Sequence, residues 1–232
     1  MTTRWERLAG DTSVFALKVS LSPDPDAGVA SHPDETISWG GLQIWVDGRN
    51  LCAHQDGGER FNSVHWYLLP LFEWFVANWD PLLHEEKLPV KNDAETAWQS
   101  LRQTQFPPLI LEDDDECAER WERDWQSWYF RHCLYVARQG GLFPEIVIRR
   151  WRDSVEISWG SRPERDTGNG FRFLDGKGVA RVPPKLVAEA LAEALAGAAH
   201  YLVGQSPESE RLRALQNGVK NLRKFDGSTR GT

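Results

Sequence analysis

Residues 64–79, VHWYLLPLFEWFVANW, form the most apolar stretch of the chain and restrict what it can fold into. A membrane-spanning helix needs about 20 consecutive apolar residues, whereas this run is shorter and carries Pro70, Glu73 and Asn78. It is expected to be a core helix of a soluble domain. If Pro70 opens the helix, where its missing N–H costs nothing, then Leu71, Trp74, Phe75, Asn78 and Trp79 share one face, widened by Phe72 and Val76. Such a helix is buried on most sides. Nothing in it carries catalytic chemistry.

The rest of the composition agrees with a globular chain. Of 232 residues, 41% are hydrophobic and 26% charged, which excludes wholesale disorder. Twelve tryptophans stand against four tyrosines, and because an indole buries a large area, a compact aromatic core is expected ahead of a ligand-stacking surface. The net charge of −7 opposes general nucleic-acid binding, which needs a concentrated basic surface. Cys52, Cys117 and Cys133 are odd in number and lack CxxC spacing, so neither a disulfide framework nor a zinc ribbon is indicated. The start, MTTRWERLAGDTSVF, has no apolar signal core. A reducing, cytoplasmic setting is expected, with no membrane association.

Along the chain, residues 14–21 alternate as a strand and the Pro- and Asp-rich residues 22–35 read as a loop. Residues 37–46 offer two short strands broken at Gly40-Gly41. Asp47-Gly48 is a hairpin turn signal, with its return strand at 51–54 or 61–67. A short helix is expected over 93–101. The acidic run 112–116 opens a helix whose Cys117, Trp121, Trp125, Trp128 and His132 recur at spacings of three and four. This helix should continue to about Gln139 and stop at Gly140-Gly141. Period-two patterns predict a hairpin from 146–148 and 155–159, and a second from 171–174 and 179–182. An Ala-rich helix follows over 185–203. Beyond it, Ser206-Pro207-Glu208 opens a last helix, about 207–225, with the narrow stripe Leu212, Leu215, Val219 and Leu222. The fold class is α+β: antiparallel hairpins packed against Trp-rich and Ala-rich helices. The expected organisation is an α+β domain over 1–204, divisible into 1–110 and 111–204, followed by a basic helix and tail over 205–232.

The residues that suggest chemistry fail on spacing. His84-Glu85 begins like an HExxH zinc-peptidase helix, but Leu88 takes the place of the second histidine. The DGKG of residues 175–178 lacks the Ser or Thr and the loop length of a phosphate-binding loop. His132 and Cys133, being adjacent, point about 100° apart on a helix and make a poor base and nucleophile pair. His54 and His65, with Asp47 and Asp56, are the remaining candidates for a divalent site.

One resemblance covers roughly residues 41–202. The turn Asp47-Gly48-Arg49-Asn50 with nearby His54, the helix end Ala77-Asn78-Trp79, and His132 followed by Gly141, Phe143 and Pro144 resemble the amino-terminal module of bacterial ImmA/IrrE-like metallopeptidase proteins. In that family the module precedes a zinc-peptidase domain. This chain contains no HExxH, so the resemblance implies no peptidase activity. It implies a regulatory or sensing module of a stress-response or phage-defence system.

The resulting expectation is a non-enzymatic protein-interaction module, with no cofactor and no metal, that docks on an effector, protease or regulator encoded nearby. Candidate partner-binding residues are Arg49, Asn50 and His54 at the hairpin tip and Arg211, Arg213, Lys220, Arg223 and Lys224 on the last helix. From Arg211 to Arg230 six basic residues face one acid, Asp226, which suits an acidic partner. The alternatives are a metal-dependent hydrolase built from His54, His65, Asp47 and Asp56, and nucleic-acid contact through the C-terminal helix.

Overall fold

The computed structural model describes residues 4–25, 32–89, 92–104, 115–138, 140–160 and 170–222. Its fold is α+β, with antiparallel sheets packed against helices. The first sheet has β1 (Trp5–Asp11), β2 (Phe15–Leu21) and β3 (Trp39–Val46) in hairpin-like succession. The other side of β3 is shared by β4 (Arg49–Asn50) and β7 (Val64–Tyr67). Within the 61–67 alternative, β7 is thus the main return strand.

β1 has no counterpart in the sequence reading because Glu6, Arg7 and Leu8 all lie exposed on an edge strand, which leaves no apolar alternation to detect. β3, in contrast to the two pieces expected, runs unbroken through Gly40-Gly41. A Cβ on Gly40 would lie 1.9 Å from the Ser20 carbonyl oxygen. Glycine there lets two strands approach instead of ending one. The Asp47-Gly48 turn forms as expected, with φ of 50° and 73°, the left-handed pair of a type I′ turn.

α1 (Pro33–Thr36) occupies the end of the segment expected to be loop and runs one residue past it. Helix α2 (Leu69–Ala77) begins beside Pro70 and buries Leu69, Pro70, Leu71, Phe72 and Phe75. Trp79 opens a separate helix, α3 (Trp79–His84). The short helix expected at 93–101 is α4 (Ala97–Gln103), and its first three N–H groups are taken by Glu156 Oε1, Ser158 Oγ and Thr96 Oγ1. Helix α5 (Asp115–His132) ends earlier than predicted; the chain tightens into a 3-10 segment, Leu134–Arg138, before Gly140 turns it at φ 94°. Cys133 is held there by a bridge to Val147, which takes it off the helical path.

β8 (Glu145–Trp151) and β9 (Ser154–Gly160) form the expected hairpin. The second expected hairpin does not form. β10 (Arg172–Phe173) pairs with β5 (His54–Asp56), which also pairs with β6 (Glu59–Phe61), while β11 (Lys177–Val182) takes the free side of β9. Strand pairing across long sequence separations won over the local Asp175-Gly176 turn signal.

Helix α6 (Pro184–Gln205) is long and apolar enough to cross a bilayer, yet half of its apolar window is buried in this fold. It lies against β1 and β2 and carries α7 (Glu210–Lys220), whose N-cap is Ser209. The main core runs from Ala9 to Val219 and includes Leu212, Leu215 and Val219, so α7 belongs to the same core as residues on both sides of position 110. A second cluster joins Ala97, Leu101, Trp128, Cys133 and Val147 between α4, α5 and β8.

None of the twelve tryptophans is exposed: Trp79, Trp128 and Trp159 are buried and the others half-buried. Trp74 and Trp125, expected on buried stripes, are among the half-buried ones. Each anchors its Nε1, Trp74 to the Phe130 carbonyl and Trp125 to Thr104 Oγ1.

Candidate functional site

The hairpin tip is fixed by side chains that cross to other strands. Asn50 accepts from the Cys52 N–H through Oδ1 and donates from Nδ2 to the Asn62 carbonyl. Arg49, exposed beside the turn, lies 3.5 Å from the half-buried Asp175, a long, partly solvated pair that contributes little stability. Its guanidinium therefore remains largely solvated.

His54 sits one step further, on β5. Its ring stacks on Phe61 at 5.2 Å, meets Phe171 at 5.1 Å and takes Phe173 edge-on at 6.0 Å. Nδ1 donates to the Cys52 carbonyl at 3.1 Å, which fixes the tautomer of the neutral ring. Phe61 and Leu174 stay exposed at the rim, and Arg172 reaches across to Gln55 Oε1. Phe61, Phe171, Phe173 and Arg172 were missed by sequence reasoning. The alternation of Phe171 and Phe173 was visible, but their pairing with His54 was not.

The four residues of the hydrolase alternative are spread over two sheets and the Asp47-Gly48 turn, and desolvation, with the nearby His54 adding to it, holds the His65 ring below its ordinary range. His65 lies over Gly41 on the five-stranded sheet, His54 is enclosed by its phenyl rings, and Asp47 and Asp56 are exposed. Among the described residues no group of three or more His, Cys, Asp or Glu is placed to hold a metal ion. Burial pushes the Cys52 thiol up to about 12, which removes it as a nucleophile at neutral pH.

On α7 the candidates separate. Arg211 gives Nε and Nη2 to the two oxygens of Glu73, each at 2.7 Å, and Nη1 to Glu35 at 3.0 Å. These contacts, Glu73 first, outweigh desolvation and raise the guanidinium further above its ordinary range. Arg211 thus clamps α7 to α2 and α1. Ser209 adds a bond from Oγ to Asp34. Arg213 donates to the Glu208 carbonyl and Lys220 to Gln216, and both remain exposed. Arg223 and Lys224 lie outside the described residues.

Comparison of the chain with family models, with curated proteins and with solved structures finds no match.

Proposed function

We propose that this chain is a non-enzymatic protein-interaction module, an accessory or sensing component of a bacterial stress-response or phage-defence system, that engages a partner protein through the hairpin tip and the adjoining β10-β5-β6 sheet. The observation that carries this reading is the rim of that small sheet. There Phe61, stacked on His54, and Leu174, bonded to the Ala53 carbonyl, stay exposed, and at the hairpin tip the guanidinium of Arg49 is largely solvated. Aromatic and arginine side chains are the residues most often found at the energetic centre of protein interfaces. A tip pinned by Asn50 loses little freedom on binding, which favours affinity.

The test is capture of partners from native-host lysate with the wild-type protein, with Arg49→Ala and with Phe61→Ser. A protein retained by the wild type and lost by both variants at unchanged melting temperature supports the reading. Equal recovery on all three sinks it.

A further inference from the structure

A second surface lies on the β11-β9-β8 sheet. The period-two rule puts Arg149 and Trp151 of β8, Glu156 of β9 and Arg181 of β11 on one face, and the register sets Glu156 opposite both Arg149 and Arg181. Three guanidiniums gather over the half-buried Trp151 ring: Arg149 at 4.7 Å, Arg181 at 5.3 Å and Arg152 at 5.7 Å from its centroid.

Their roles differ. Arg149 is buried, with Nη2 3.2 Å from Glu156 Oε2 and no partner for Nε among the described residues. It packs against the indole, 4.7 Å from its centroid. Arg152 and Arg181 are exposed, and among the described residues neither is paired with a carboxylate. Arg152 also holds φ 53° at the β8-β9 turn, a left-handed conformation that favours glycine or asparagine. Backbone strain of this kind collects where a side chain must be aimed.

Charged residues on an edge strand ordinarily serve to prevent sheet-to-sheet aggregation. That explains Lys177 and Arg181 on β11, but it does not call for an indole beneath three guanidiniums. A guanidinium lying over an aromatic ring keeps its N–H rim available to an anion, and its planar fork matches a carboxylate.

We propose that Trp151, Arg152 and Arg181, braced by Arg149, form a binding site for an acidic segment of a partner protein, read through its carboxylates. Two observations favour a peptide over nucleic acid. The Trp151 ring already carries three guanidiniums within 5.7 Å of its centroid, which compete with a base for stacking on it. The chain's net charge of −7 repels a long polyphosphate, whereas a short acidic segment responds to the local cluster within about 10 Å, the Debye length at 0.1 M salt.

The probe is a fluorescein-labelled decapeptide of Glu and Asp, titrated at about 0.1 M salt and followed by anisotropy. Saturable binding that weakens with salt is expected. The Arg152→Gln/Arg181→Gln double variant should weaken it about tenfold or more, the loss of two charge-assisted contacts, with an unchanged thermal melt. Arg120→Gln/Arg123→Gln on α5, an equal change in net charge, should leave the affinity unaltered. The proposal is overturned if the peptide fails to saturate, if the α5 control loses as much affinity, or if a single-stranded oligonucleotide binds more tightly than the peptide. The tip is not involved in any of these measurements, so the outcome is independent of partner capture.

Discussion

His132 Nε2 lies 3.2 Å from Glu85 Oε2 while its Nδ1 donates to the Ile148 carbonyl at 2.7 Å. One buried ring therefore joins the ends of α3 and α5 to strand β8. Arg131, the preceding residue, gives Nε and Nη2 to the same carboxylate at 3.0 and 2.8 Å, and Trp128 stacks on the His132 ring with centroids 4.0 Å apart. Glu85, the second residue of a false zinc-peptidase motif in the sequence, works here as the acceptor that docks a helix.

Burial by itself pushes the Glu85 carboxyl up, but the hydrogen bonds from His132 and Arg131 outweigh it and hold the group at about 2. A carboxyl depressed in the folded state contributes stability above its ordinary value near 4.5, and that contribution is lost as pH falls toward about 2. Glu85→Gln is expected to lower stability at pH 7 by about 1–3 kcal/mol, because it leaves the buried His132 ring and the half-buried Arg131 without their anionic partner. In urea titrations from pH 2 to 7, the gap between wild type and variant should close below pH 4.5.

Gly40→Ala is expected to be poorly tolerated, since the new methyl would meet the Ser20 carbonyl oxygen, a backbone atom that cannot rotate away. Overpacking of this kind costs about 1–3 kcal/mol. Chemical denaturation checks it; Gly48→Asn, in an open turn with φ 73°, should be nearly neutral by comparison.

Trp128→Ala should cost about 3–5 kcal/mol, the range for a fully buried aromatic. Trp74→Ala, which removes a half-buried ring and one bond to the Phe130 carbonyl, should cost less, about 1–3 kcal/mol. Thermal melts of the two variants side by side measure the difference, and equal losses would contradict the burial order.

Arg49→Ala is expected to change stability by no more than about 1 kcal/mol, because its guanidinium is exposed and its contact with Asp175 is 3.5 Å long. An unchanged melt accompanied by loss of a captured partner would assign the side chain to recognition and not to holding the hairpin.

Arg211→Ala should destabilise by about 2 kcal/mol or more, since it leaves Glu35, buried, and Glu73 without their shared cation. Arg213→Ala and Lys220→Ala, both exposed, should stay within about 0.5 kcal/mol of wild type. The last two variants, unlike truncation after Gly204, test α7 as a docking surface without dismantling the core it completes.

The sequence by itself determined the α+β class, the core helix around Leu71 and Phe75, the Asp47-Gly48 turn, the β8-β9 hairpin and the apolar stripe of α7. Each of these depends on local periodicity or on the φ preference of one or two residues, which a linear string records. Tertiary structure alone decided that Phe173 pairs with His54, that β3 passes through Gly40-Gly41, that Arg211 is a clamp, and that Trp151 lies beneath Arg149, Arg152 and Arg181. Those outcomes depend on which strand edge or carboxylate is nearest once the core has closed. Phe173 and His54 are far apart in the chain, and Glu73 and Arg211 farther still, so no local pattern encodes their meeting; it follows from burying the apolar faces of several elements together.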